Sequence, residues 1–206
     1  MSLQASAPVR IYPIDDTDRD STFRSYVHKL QAAVSALDSS ALRKLTADDV
    51  VVGPREKDKG WQRFVEVWRP NDRNDPELWD ALSELLSLGF VREHPSLYVS
   101  PYVAWRFPND LDPRTHLVVI RDGAALRLSP GINAPISATL SFDIVGRISG
   151  AATPAGDNEL RQWVYVRTLD GRTGYLNARD VRSPLMPRAQ FARKNGKWKM
   201  VALEGR

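Results

Sequence analysis

Gln162-Trp163-Val164-Tyr165-Val166-Arg167-Thr168-Leu169-Asp170-Gly171-Arg172-Thr173-Gly174-Tyr175-Leu176-Asn177-Ala178-Arg179-Asp180-Val181 spells a strand, a turn, a return strand and a closing turn. Val164 and Val166 alternate with Trp163, Tyr165 and Arg167, so one strand face is aliphatic and the other aromatic and basic. Asp170-Gly171 is a tight-turn dipeptide, because Gly accepts the positive φ such hairpins need. Gly174 opens the return strand at a position where a side chain would be costly, as at a bend or a close backbone approach. Ala178 to Val181 predicts a single helical turn.

Outward from this stretch, strand signals continue on both sides. Upstream, Leu117 to Ile120 is an aliphatic run, Asp122-Gly123 a turn, Ala124 to Pro130 a further extended segment, and Ile136 to Ile148 two short strands around Ser141-Phe142-Asp143. Residues 149–160, with Pro154 and two glycines, read as a loop. Downstream, Ala189 to Lys194 and Lys197 to Leu203 flank Asn195-Gly196, the preferred type I′ pair, which predicts a β-hairpin appended to the strand domain. Asn109 to Pro113 reads as a connector, and the domain boundary is placed at residue 113.

The Trp-x-x-Val strand, the glycine turn and Gly174-Tyr175-Leu176 before a short helical turn resemble the second half of the bacterial SH3-type domain. Leu126, Arg127 and Pro130 agree with that family's Leu-Asn-Val-Arg-x-x-Pro segment, whereas Ala124 and Ala125 replace its Leu and Asn. Ser183-Pro184-Leu185, Arg188-Ala189 with Phe191, the Asn195 to Met200 run and upstream Pro101-Tyr102-Val103 with Phe107-Pro108 and Asp110 resemble a group of bacterial SH3 domain-containing proteins. In that group a helical first domain precedes the barrel and a signal peptide or lipobox is common. The resemblance implies a small β-barrel; it carries no activity with it.

The first half reads as helical. Asp20-Ser21 caps a stripe of Phe23, Val27, Leu30, Val34 and Leu37, and Asp38 caps a second helix through Leu42 and Leu45. Asp49 to Gly53 predicts a brief strand. Trp61, Phe64, Val65 and Trp68 recur at helical spacing after Gly60, and Asp75-Pro76-Glu77 starts another helix that runs to Gly89 as its C-cap. Leu97 to Val99 and Tyr102 to Trp105 read as extended. Trp61, Trp68, Trp79 and Trp198 are expected in the core. The expected fold is therefore α+β: a flexible start over residues 1–19, a mainly helical domain over 20–113, and over 114–206 a small SH3-like β-barrel with an appended C-terminal hairpin.

Composition narrows the chemistry. The chain has no cysteine, which removes disulfides, thiolate metal sites and cysteine nucleophiles. It has no apolar run long enough for a membrane helix. Met1-Ser2-Leu3 looks like an expression leader and Gln4 to Pro8 like the start of a mature secreted protein, so a removed signal peptide and a periplasmic or extracytoplasmic location are expected. From residue 114 onward fifteen basic side chains face seven acidic ones, and before it fourteen face eighteen. The basic residues are scattered singly, so a nucleic-acid partner is not expected.

Phosphate-binding glycine loops, zinc helices and nucleophile elbows are absent from the sequence. His28, His94 and His116 are isolated, and no metal, cofactor or catalytic residue is assigned. The expectation is a non-enzymatic binding or scaffolding module of the cell envelope. It would contact cell-wall polymer or a protein or peptide through Arg127, Trp163, Tyr165, Arg167 and Tyr175. Two alternatives stand beside it. In one, a structural or regulatory protein, the first domain buries the aromatic face. In the other, a carboxylate-dependent hydrolase, two acids share a cleft between residues 60 and 105, with Glu66, Glu84 and Glu93 as candidates.

Overall fold

The computed structural model describes residues 9–72, 74–148 and 162–205. Its helices are α1 (Ser21–Ser35), α2 (Ser39–Leu45), α3 (Trp61–Trp68), α4 (Glu77–Ser87) and α5 (Tyr102–Trp105). Its strands are β1 (Thr46–Val51), β2 (Val91–His94), β3 (Leu97–Ser100), β4 (His116–Val119), β5 (Ala124–Arg127), β6 (Ile136–Leu140), β7 (Ile144–Arg147), β8 (Trp163–Thr168), β9 (Thr173–Asn177), β10 (Val181–Arg182), β11 (Arg188–Lys194) and β12 (Lys197–Glu204). The fold is mixed α+β with two sheets, in line with the change of hydrophobic period along the chain.

The chain divides into two compact units, neither continuous in sequence. One, the β unit, takes residues through Pro13 together with Arg106–Pro184. The other, the helical unit, takes Ile14–Trp105 together with Leu185–Arg206. This corrects the single division at residue 113. The hairpin of β11 and β12 does not extend the strand domain; it forms the middle of the helical unit's sheet, whose order is β1-β12-β11-β3-β2 with β1 parallel to β12. Asn195 and Gly196 do adopt the positive φ of the expected turn, at 50° and 75°. That turn chemistry specifies a hairpin but says nothing of which sheet receives it.

What recruits the hairpin is the aromatic core of the helical unit. Phe23 on α1 stacks on Tyr98 of β3 with ring centroids 3.7 Å apart, and meets the edges of Phe90, Phe191 and Trp198 at 5.3, 6.0 and 5.0 Å. The polar ends of the two tryptophans are satisfied as burial demands. Trp198 Nε1 donates to Thr22 Oγ1 at 3.0 Å, and Trp68 Nε1 donates to the Leu203 carbonyl at 3.1 Å. Asp20, which caps α1 through the Thr22 and Phe23 amides, also accepts from Arg193 at 2.9 Å, so one carboxylate joins the helix start to β11.

Smaller expectations are adjusted locally. Leu37 leaves the α1 stripe: the helix ends at Ser35, Asp38 caps α2 through the Ala41 amide, and Leu37 between them has φ 51° and is 60% exposed. Tyr102 to Trp105 form one helical turn after Pro101 rather than a strand. The start is not loose from residue 9 on. Val9 accepts from the Ile144 amide and the Ile11 amide donates to Phe142, each at 2.9 Å, Arg10 pairs with buried Asp143, and Ile11 is buried.

The β unit is a sheet of order β10-β4-β7-β8-β9-β5-β6. Among the described residues its edge strands β10 and β6 are not paired with one another, so by hydrogen bonding the sheet is open where a closed barrel was expected. Its inward residues, from Leu117, Val119 and Val181 at one edge to Leu126 and Leu140 at the other, nevertheless share one buried cluster.

Truncating Trp198 removes a buried indole that several rings pack against. Trp198→Ala is expected to destabilise the helical unit by about 3–5 kcal/mol. Urea unfolding followed by far-ultraviolet circular dichroism measures this; a loss below ~1 kcal/mol would mean that the hairpin is a dispensable appendage.

Candidate binding site

The five residues singled out in the sequence lie on the outer face of β5, β8 and β9. In β8, Val166 and Thr168 are buried while Trp163, Tyr165 and Arg167 retain exposure. In β9, Gly174 and Leu176 are buried while Thr173, Tyr175 and Asn177 remain accessible. In β5, Ala124 and Leu126 are buried and Arg127 is half-buried. The period of two thus sends one set inward and the other outward on all three strands.

Register then decides which outward side chains are neighbours. Tyr175 lies opposite Tyr165 on one side and opposite Arg127 on the other, which makes a row across three strands. The tyrosine rings meet at 4.7 Å with a 37° tilt. Trp163 lies opposite Asn177. Arg167 lies opposite Thr173 and Gly146, so it stands at the far end of the face from Trp163. Trp163, Tyr165 and Tyr175 are each half-buried.

The row exists because β9 can approach β5 closely. A Cβ at Gly174 would stand 2.7 Å from the Arg127 carbonyl and 2.9 Å from Leu126 Cγ, which backbone and core cannot yield. The β8–β9 connection is longer than a two-residue turn. Gly171, at φ 94°, closes it by donating to the Thr168 carbonyl at 2.9 Å, and the Thr168 amide donates to Arg172 at 2.8 Å. Asp170 accepts from Arg172 Nε at 3.2 Å and from the Thr168 hydroxyl. Those two contacts, Arg172 first, pull the Asp170 carboxyl down to about 2.

Beside this row is a cleft of about 410 Å³, lined among others by Arg127, Ile132, Trp163, Asn177, Arg179 and Asp180. Arg127 and Trp163 were legible as candidates; the others were not assigned. Asn177 is two residues beyond Tyr175, so strand period alone could have added it. Ile132 had no such signal, because it belongs to an aperiodic loop. That loop is shaped by Ala134 donating to Gly131 at 3.1 Å, Leu128 donating to Pro135 at 3.0 Å, and Arg127 Nη1 donating to the Ala134 carbonyl at 2.6 Å.

The acids considered for hydrolysis are dispersed. Glu66 pairs with Arg63 at 2.9 Å and is exposed, Glu93 is exposed, and Glu84 is half-buried on α4. The helical unit does hold a cleft of about 730 Å³ with Asp72 and Asp80, but both are exposed. A solvated pair has no differing surroundings to make one carboxyl the acid and the other the base. His28 and His94 are exposed, and His116 is engaged through Nδ1 with Asp112 and Thr115. Among the described residues no three His, Asp or Glu side chains converge as metal ligands. No helix among them is long and apolar enough to cross a membrane. Neither a protein-family model, nor a curated protein, nor a solved structure matches this chain.

Two outcomes follow from this geometry. Gly174→Ala forces β5 away from β9 and is expected to cost about 1–3 kcal/mol, read by urea denaturation; a neutral substitution would show that the close approach is not required. Asp170 has a lower pKa folded than unfolded, so its stabilisation is complete above the ordinary carboxylate pKa of ~3.9 and is lost as pH falls through about 2. Asp170→Asn should therefore flatten the fall in thermal stability across that interval, and an unchanged acid slope would contradict the role of the turn.

Proposed function

We propose that the β unit is a bacterial SH3-type module and that the protein is a non-enzymatic binding or scaffolding component of the cell envelope. In this reading it works outside the cytoplasm and grips an extended peptide-bearing chain, of wall polymer or of a protein, on the outer face of β5, β8 and β9. The observation that carries it is the row Arg127, Tyr175 and Tyr165, continued by Trp163: aromatic and cationic side chains on adjacent strands with their rings still accessible. Aromatic ridges of this kind offer large contact area at small entropic cost and suit extended ligands. The resemblance is supported by what residues 162–181 build, which is a strand, a glycine turn, a Gly-Tyr-Leu strand and a single 3₁₀ turn over Ala178–Asp180, in that order.

Co-sedimentation of the full chain with isolated cell-wall sacculi at low and high salt tests this reading. Retention is expected to survive salt, because stacking on the ridge is not screened. Tyr175→Ala with Arg167→Gln should lower it at least tenfold while leaving thermal unfolding unchanged. Retention that disappears in salt, or that is indifferent to the pair of substitutions, would overturn the assignment of this face.

A further inference from the structure

We propose that the cleft beside Trp163 is a carboxylate subsite, which takes the free carboxyl group of a peptide-bearing ligand whose chain continues along the tyrosine row. This rests on the reading that the row binds an extended chain and adds the chemistry of one end of it.

The cleft is lined mainly by groups that donate. Arg127 spends Nη1 on the Ala134 carbonyl at 2.6 Å, which pins its guanidinium while its other N–H groups stay available. Arg179 is exposed and makes no ion pair among the described residues. Asn177 Oδ1 accepts from the Arg179 amide at 3.0 Å, so the orientation of its side-chain amide is set and its NH₂ is left as a donor facing the cleft. The charged acceptor in the lining, Asp180, already faces Arg121 at 3.3 Å. A ligand entering here must bring acceptors and negative charge.

Arg121, which pairs with Asp180, is itself part of the lining, so three guanidinium groups face one carboxylate and the cleft keeps an excess of positive charge. A planar carboxylate also suits the guanidinium fork, which pairs with it through two parallel bonds. The remaining walls are apolar: Trp163, and Ile132, which is 77% exposed at the rim. They fit an apolar side chain adjoining the carboxyl group.

The probe is N-acetyl-leucyl-alanine as the free acid, set against its carboxamide and against inorganic phosphate. Each is titrated into the full chain while the Trp163 indole and Asn177 side-chain amide resonances are followed by NMR. The free acid should shift both saturably and bind at least tenfold more tightly than the carboxamide and more tightly than phosphate. Arg127→Gln and Arg179→Gln should each weaken it at least threefold, with the fold intact by circular dichroism. Equal binding of acid and amide, tighter binding of phosphate, or indifference to both substitutions would overturn the subsite. Sacculus retention distinguishes the two readings: loss with Tyr165→Ala but not with Arg179→Gln leaves the ridge standing and removes the subsite. Acid binding without any sacculus retention keeps the subsite and removes the wall as partner.

Discussion

The outer face of β5, β8 and β9 depends on one packing constraint, the burial of alternate residues on β8 and β9. Val166 and Leu176 go into the core of the β unit with almost no exposure. Burying an aliphatic side chain of that size is worth about 1.5–3 kcal/mol, and a register slip by one residue would reverse every side chain on the strand. The positions of Trp163, Tyr165, Tyr175 and Asn177 are therefore set by residues of the core. Gly174 completes the arrangement, since its missing side chain lets β5 come close enough to place Arg127 in the same row.

The two units differ in what they bury. The helical unit is built around an aromatic cluster in which Phe23, Tyr98, Phe191 and Trp198 are all buried, and the indole N–H groups of Trp68 and Trp198 are satisfied internally. In the β unit the aliphatic core is made of short strands, while aromatic and cationic groups stand outside it with unused hydrogen-bonding capacity. Unused capacity of that kind on a rigid strand is what a recognition surface requires.

Local structure was largely legible in the sequence. The Asp20 and Asp38 caps, the start of α4 near Asp75, the Asn195-Gly196 hairpin and the alternation of β8 each rest on a few adjacent residues whose chemistry admits one local solution. Partnership over distance was not. Nothing near Trp198 says that its indole will donate to Thr22, 176 positions away, and the hairpin was consequently assigned to the wrong unit. The segment at residues 9–11 was missed for a like reason, because Arg10 and Ile11 find Asp143 and Phe142 only once β7 exists. For the site, period two identified the ridge, whereas the cleft needed the cross-strand register and an aperiodic loop carrying Ile132.

The central claim is that this outer face meets the ligand, and its most direct measurement is chemical-shift mapping of the isotopically labelled full chain with solubilised wall fragments. The account predicts that the largest perturbations fall on Arg127, Trp163, Tyr165 and Tyr175 and on the amides of β5, β8 and β9. Perturbations centred instead on α1 to α4, or on the cleft at Asp72 and Asp80, would contradict it and move the search for function to the helical unit.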